Sequence, residues 1–182
     1  LAGRVSEFAC SAALAVRSEL REPTDVAAQI EFALSIAARS IGERCTVEVV
    51  REFATLERVR VDKHKLVQAL VNLFKNAYES IDEARVERGR IVARLTATSD
   101  GRVRIEVIDN GMGIAAENLT RVFQHGFTTK SNGHGFGLHS SANSAVEMGG
   151  HLSAASDGPG RGATFVLEIP VDSAPVALSE SP

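Results

Sequence analysis

Residues 110–137 constrain the fold of this chain more than any other stretch. Gly111, Gly113, Gly126, Gly133, Gly135 and Gly137 all fall there, and the only regular signal between them is a short helical patch over residues 118–123. A connector this long is uncommon in a compact domain unless it is a binding loop or a lid, so its flanks should be a scaffold that holds it. Upstream lies a hairpin. Residues 90–98 and 102–109 alternate, with Ile91, Ala93, Leu95 and Ala97 on one face, Val103, Ile105 and Val107 on another, and Asp100-Gly101 as a tight turn between them. Downstream, residues 138–148 read as a helix stopped by Gly149-Gly150, followed by closing strands over 151–156 and 163–169.

The first half of the chain supplies more helix. Leu1, Val5, Phe8, Ala12, Val16 and Leu20 recur three or four apart, the spacing of one apolar helix stripe. Arg21-Glu22-Pro23-Thr24-Asp25 then brings a proline break, with Thr24 or Asp25 as the cap of an alanine-rich helix running to about Gly42. Strand candidates follow over residues 45–53 and 56–61, and a long helical pattern runs from Asp62 to about Arg88. This order predicts an α/β fold, a two-layer sandwich of a mixed β-sheet with helices on one face. Residues 22–172 are expected to form the domain, with 1–21 a preceding helix or linker and 173–182 a flexible tail.

Composition narrows the class. With 182 residues, 44% of them hydrophobic, the chain can bury one sizeable core. A net charge of −3 gives no electrostatic reason to expect nucleic acid or an anionic membrane as partner, so any anion must be met by a local site. No apolar stretch approaches the roughly 18 residues of a membrane span, and the start lacks the pattern of a signal peptide. A start at Leu1 rather than Met suggests an excised piece, which leaves a membrane-anchored parent open. Cys10 and Cys45 are read as reduced packing thiols, and no Cys/His spacing suits zinc.

Three groups of residues could carry chemistry. In the long helix Leu66, Leu70, Leu73, Ala77 and Ile81 make a core stripe, while Asn72, Asn76 and Glu79 fall on nearly the opposite side. That polar side reads either as a solvated face or as a site for magnesium, to which amide and carboxylate oxygens are suited. Asp109-Asn-Gly-Met-Gly113 stands where a buried strand meets the glycine loop. Its acid could accept a hydrogen bond from an exocyclic amine, and Asp-Asn-Gly is equally good turn chemistry. Gly133-His-Gly-Phe-Gly-Leu138 immediately precedes a helix, where free backbone N–H groups and the helix dipole favour phosphate. Because it does not follow a strand, a Rossmann dinucleotide site is disfavoured.

In this order the motifs closely resemble the catalytic domain of bacterial two-component sensor histidine kinases, a branch of the superfamily that includes gyrase and MutL and shares the Bergerat nucleotide-binding fold. Leu70-Val-Asn-Leu-Phe-Lys-Asn-Ala77 resembles the N box and Asp109-Asn-Gly-Met-Gly113 the first glycine box. Val122-Phe-Gln-His-Gly-Phe-Thr-Thr-Lys130 resembles the F box, Gly133-His-Gly-Phe-Gly-Leu138 the second glycine box, and Gly160-Arg-Gly-Ala-Thr-Phe165 the final Gly-x-Gly-x-Thr-Phe element. The resemblance implies ATP and Mg²⁺ as ligands. It has Asn76 hold the metal, Asn72 support the triphosphate, Asp109 bind the adenine amine, and Thr164 join a water-bridged network around Asp109. Gly111 and Gly113 would pass close to the base, and Gly133, Gly135, Gly137 and Leu138 would approach the phosphates. Phe123 and Phe127 would anchor a mobile lid, and Lys130 would reach the γ-phosphate. Many family members carry a basic residue where this chain has Glu79, which puts a direct phosphate contact from that position in doubt.

The implied activity is transfer of the γ-phosphoryl group of MgATP to a histidine on a dimerisation domain, for relay to a response regulator. That acceptor is expected outside this chain, in a homodimeric parent whose kinase part is cytoplasmic. Residues 1–21 would then be the end of a dimerisation helix or a linker. A conformational ATPase of the same superfamily is the rival, but its N box opens with a Glu that serves as general base, and Asn72 cannot take a proton from water. A non-catalytic nucleotide-binding module is the third alternative. No histidine precedes His64. His64 is read as structural, His125, His134 and His139 as lid residues, and His151 as a strand residue.

Overall fold

The computed structural model describes residues 21–41, 46–128 and 135–171. In chain order the elements are β1 (Arg21–Thr24), α1 (Val26–Ile41), β2 (Val47–Phe53), β3 (Val59–Asp62), α2 (Lys63–Ala84), β4 (Gly89–Ala97), β5 (Arg102–Asp109), a 3-10 turn (Ala116–Asn118), α3 (Gly137–Glu147), β6 (His151–Ala155) and β7 (Ala163–Pro170). The expected helix over residues 1–20 and the tail from 173 lie outside the described residues.

Five strands form one mixed sheet in the order β2-β4-β5-β7-β6. The β2–β4 pair is parallel and the other three pairs are antiparallel. A parallel pair needs a long crossover, and α2 provides it. The sheet has two unlike faces because its strands alternate. On β5 the side chains of Val103, Ile105, Val107 and Asp109 are buried while the residues between them are half-exposed. The other face carries alternating charges. Arg94 reaches Glu52 at 2.7 Å and Glu106 at 3.1 Å, Arg104 reaches Glu106 at 3.4 Å and Glu168 at 3.0 Å, and His151 lies 3.3 Å from Glu168. That face stays in water and the helices cover only the apolar one, as the α/β sandwich requires.

The stripe expected on the long helix is the centre of the core. Leu66, Leu70, Leu73, Ala77 and Ile81 are all at 0% exposure, joined by Phe74. Each large side chain so buried contributes about 1.5–3 kcal/mol. The Asp62 carboxylate caps α2 by accepting the Lys65 N–H at 3.2 Å. The helix stops at Ala84, earlier than its apolar pattern suggests, because Arg85 turns left-handed at φ 50°. Arg85 N–H then bonds Asp82 O at 3.0 Å and Val86 N–H bonds Ile81 O at 3.3 Å, a paired C-terminal closure.

One element departs from expectation. The segment around Pro23, read as a break, is strand β1, which pairs antiparallel with β3 in a separate two-stranded sheet. Helix α1 follows directly, with Asp25 Oδ1 accepting the Ala28 N–H at 3.1 Å, so Asp25 rather than Thr24 is the cap.

Candidate functional site

Helix α2 carries a polar line of Asn72, Asn76 and Ser80, each one turn from the next, over about 12 Å. Its first member faces α3. Asn72 Nδ2 donates to Gly137 O at 3.3 Å and to Ser141 Oγ at 3.2 Å, and Ser141 Oγ in turn donates to Gly137 O at 2.8 Å. Its last member faces the end of β5, where Ser80 Oγ donates to Asp109 Oδ1 at 3.2 Å. Asn76 lies between them, half-buried. The α2 line thus joins the start of α3 to Asp109, and three groups distant in sequence come to one side of one helix.

Asp109 is 5% exposed. Its Oδ1 also accepts the Gly111 N–H at 2.8 Å, so both bonds fall on one oxygen, and Oδ2 is fully buried. Gly111 and Gly113 are held from two sides. A Cβ on Gly111 would lie 2.3 Å from Ser80 Oγ and 2.5 Å from the Ser80 carbonyl carbon. A Cβ on Gly113, whose φ is +69°, would lie 2.1 Å from Gly158 O. The turn that presses on Gly113, between β6 and β7, is joined to the loop by Gly160 N–H to Met112 O at 2.5 Å and Gly162 N–H to Gly111 O at 3.2 Å. Ser156 completes the clasp, its Oγ accepting the Ile114 N–H at 3.0 Å and donating to Gly162 O at 2.6 Å. These glycines are therefore required by the protein's own packing, whatever binds beside them.

At the other end, α3 begins at Gly137 and the residue before it, Phe136, provides no side-chain cap. The first-turn N–H groups there are the kind of donors that meet anions. Gly135, at φ +70°, packs on the loop backbone, where a Cβ would come within 2.4 Å of Gly126, and Gly126 N–H donates to Gly135 O at 3.1 Å. Leu138 and Phe123 pack against the core. Phe127 is half-buried under the Arg121 guanidinium, 4.6 Å from the ring centre. His139 ties the Phe123 loop to α3, with Nδ1 3.0 Å from Phe123 O and Nε2 3.1 Å from Asn143 Nδ2. The Phe123 carbonyl can only accept, so Nδ1 carries the proton to it and Nε2 is left to accept from the Asn143 Nδ2–H. His125 stands edge-on to His139, ring centres 5.2 Å apart. Lys130, Gly133 and His134 lie outside the described residues.

One expectation needs amending. Thr164 pairs with Ile108, while Asp109 pairs with Ala163. Directly opposed residues share a face and neighbours along a strand do not, so Thr164 projects from the charged side of the sheet, away from Asp109. Ala163, not Thr164, is the residue that opposes the acid on its own face of the sheet. Glu79 is engaged by Lys75 on its own helix, at 3.7 Å. Ser80, Ser141, Ser156 and His139 were not singled out from sequence as site residues that join elements. Of these, Ser80 alone had a signal, since it continues the four-residue spacing of Asn72 and Asn76.

At the far end of α3, Lys65 Nζ reaches Glu147 at 2.9 Å and Asp62 at 3.5 Å. The hydrogen bond to Glu147 leads in holding this ammonium above its ordinary 10.5. The pair joins α2 to α3 away from the glycine turns.

A mixed sheet covered on one face, with an acid at a strand end, a glycine loop, and an asparagine helix meeting a second helix start, defines a nucleotide-binding ATPase domain. The chain belongs to the family of histidine kinase-, DNA gyrase B- and HSP90-like ATPases, which matches residues 61–173. Within it the chain is similar to the sensor histidine kinase ZraS of Escherichia coli K12, at 34% identity over 165 residues, covering 85% of this chain and 33% of that protein. It is also similar to the sensor protein FixL of Bradyrhizobium diazoefficiens, at 38% identity over 112 residues, covering 62% of this chain and 22% of that one. The chain thus spans about a third or less of the curated relatives it matches. Among solved structures, full-length ShkA in complex with AMPPNP superposes with a TM-score of 0.73 at 26% identity, covering 85% of this chain and 32% of that one. The nucleotide-free catalytic domain of the histidine kinase ThkA gives 0.70 at 26% identity, covering 83% of this chain and 95% of that domain.

Proposed function

We propose that this chain is the ATP-binding catalytic domain of a sensor histidine kinase, which holds MgATP and delivers its γ-phosphoryl group to a histidine on a separate dimerisation domain. The observation that carries this reading is the α2 line, bonded through Asn72 to the start of α3 and through Ser80 to Asp109. A nucleotide laid along that line would have its base at the acid and its phosphates at the uncapped N-terminus of α3. Asp109 would accept the adenine amine, and the first-turn N–H groups at Gly137 and Leu138 would meet phosphate oxygens. Asn76 fits a metal carried by the nucleotide, since one neutral amide oxygen suits an ion whose other ligands are phosphate and water. Mg²⁺ there would neutralise phosphate charge. Lys130 would add a cation from the lid, with Phe123 and Phe127 as its apolar anchors.

The reaction would break the bond between the γ-phosphorus and the β,γ-bridging oxygen and form a P–N bond to a neutral imidazole nitrogen, with ADP leaving. Such transfer depends on positioning and charge stabilisation rather than on a protein base. Asn72 supports this over the conformational ATPase reading, because its amide donates toward Gly137 and Ser141 and cannot deprotonate water. His64 sits in the first turn of α2, exposed and two turns before Asn72, and is held there by the helix. On this reading the phosphoacceptor belongs to another domain, in a homodimeric parent whose kinase part is cytoplasmic, and the phosphoryl group passes on to a response regulator.

The test uses ATP labelled at the γ-phosphate, first with this chain alone and then with the parent's dimerisation domain added. The expected result is Mg²⁺-dependent ATP binding throughout and acid-labile label only on the added domain. Steady phosphate release from the isolated chain would favour the ATPase. Binding without transfer or release would favour a non-catalytic module. Label on the chain itself that disappears in His64→Ala would put the acceptor inside it.

A further inference from the structure

Ser80 is engaged in a way that a serine in mid-helix seldom is. Such a hydroxyl usually points to water or bonds back to the carbonyl one turn earlier. Ser80 Oγ instead reaches across to another element, accepting the Met112 N–H at 3.0 Å and facing Asp109 Oδ1 at 3.2 Å. A hydroxyl has a single proton. Because Met112 donates to the oxygen, that proton is directed to the carboxylate. The same Met112 N–H lies 3.2 Å from the Ser80 backbone oxygen, so loop and helix are joined at two atoms of one residue.

The consequence falls on Asp109. The terminal torsion of a carboxylate is soft, so the plane of the group is set by what bonds to it. Two donors from different elements, Gly111 N–H at 2.8 Å and Ser80 Oγ at 3.2 Å, converge on Oδ1 and fix the carboxylate plane, and with it the direction of Oδ2. From this we infer that Ser80 is a positioning residue that orients the Asp109 carboxylate toward a 6-aminopurine, and so sets the preference for adenine over purines that lack the amine. The inference rests on the nucleotide reading given above and adds to it a residue and a specificity.

The measurement compares two ligands in the presence of Mg²⁺, ATP and purine riboside triphosphate, which has no 6-amino group. Wild type should bind ATP more tightly by about tenfold, the scale of one hydrogen bond to a charged acceptor. In Ser80→Ala that ratio should fall to about threefold or less, with the affinity for the analogue nearly unchanged. Ser80→Thr, which keeps the hydroxyl, should hold the wild-type ratio. An equal loss for both ligands in Ser80→Ala would overturn the inference, since it would mean general support of the loop. An unchanged ratio would overturn it as well. Thermal unfolding accompanies each variant, and Ser80→Cys, a weaker donor of similar size, carries the same comparison if the alanine variant does not fold. Wild type that binds neither triphosphate would refute the nucleotide reading itself, a result distinct from either of these.

Discussion

Gly111→Ala should damage the site through packing alone. The added Cβ would lie 2.3 Å from Ser80 Oγ, which could rotate away, but also 2.5 Å from the Ser80 carbonyl carbon and 2.7 Å from its oxygen, which belong to the α2 backbone. Relief requires the loop to move off the helix by roughly 1 Å to reach ordinary contact. That shift would stretch three hydrogen bonds beyond useful length, Gly111 N–H to Asp109 Oδ1 and Met112 N–H to Ser80 Oγ and O, now at 2.8, 3.0 and 3.2 Å. Overpacking costs about 1–3 kcal/mol and each lost bond about 1 kcal/mol. A total of about 4–6 kcal/mol corresponds to a fall in Tm of about 15 °C for a domain of this size. Gly101→Ala is the control. Its φ of +75° also disfavours alanine, at about 1–2 kcal/mol, but nothing lies within 4 Å of the added carbon and the turn is remote from Asp109. Calorimetric unfolding and ATP titration of both variants decide the matter. Gly111→Ala should lose stability and most nucleotide affinity, and Gly101→Ala should lose some stability and keep its affinity. A Gly111→Ala protein with wild-type Tm and wild-type affinity would refute the close contact between loop and helix.

Other perturbations separate the parts of the site. Asp109→Asn should bind ATP about ten- to a hundredfold more weakly by calorimetry, because a charge-assisted bond worth about 1.5–3 kcal/mol is lost. Its unfolding temperature should change little, since an amide oxygen can still accept from Gly111 and Ser80. Thr164→Val should leave ATP affinity unchanged, as its side chain leaves the sheet on the charged face, and a large loss would contradict the register. The Lys65 ammonium is held above 10.5 in the folded state, chiefly by Glu147, so its contribution to stability is complete below that pH and disappears as the pH rises through the folded value. Unfolding temperatures followed from neutral to strongly alkaline pH should fall less steeply in Lys65→Met than in wild type.

What could be read in advance follows from the range of the interactions. The α2 core stripe was legible because helical periodicity is written within one segment, and burial of all its members reflects that. The β4–β5 hairpin was legible for the same reason, with its turn residues between two alternating runs. Strand β1 was hidden because four residues containing Pro23 have no periodicity of their own and exist as a strand only through pairing with β3, far along the chain. The face taken by Thr164 was hidden by a finer rule. A motif places a threonine in the sequence, but one residue of register between β5 and β7 decides which side of the sheet it serves.

The glycine boxes show why motif and mechanism have to be argued separately. Gly111, Gly113 and Gly162 each stand where a Cβ would press on backbone of α2, of the turn after β6, or of Asp109 itself. Such glycines would be needed for the loop to close even if no nucleotide ever entered, so their presence is evidence first of this fold. Evidence for the ligand must come from groups the packing does not explain. Asn72 and Ser80 are polar side chains on the long helix that bond outward to two other elements, the start of α3 and the end of β5. A core would have been served by apolar residues there, without the cost of burying polar groups. A ligand with an amine at one end and anionic charge at the other, about 12 Å apart along the helix, gives those two bonds a purpose, and adenosine triphosphate has that shape.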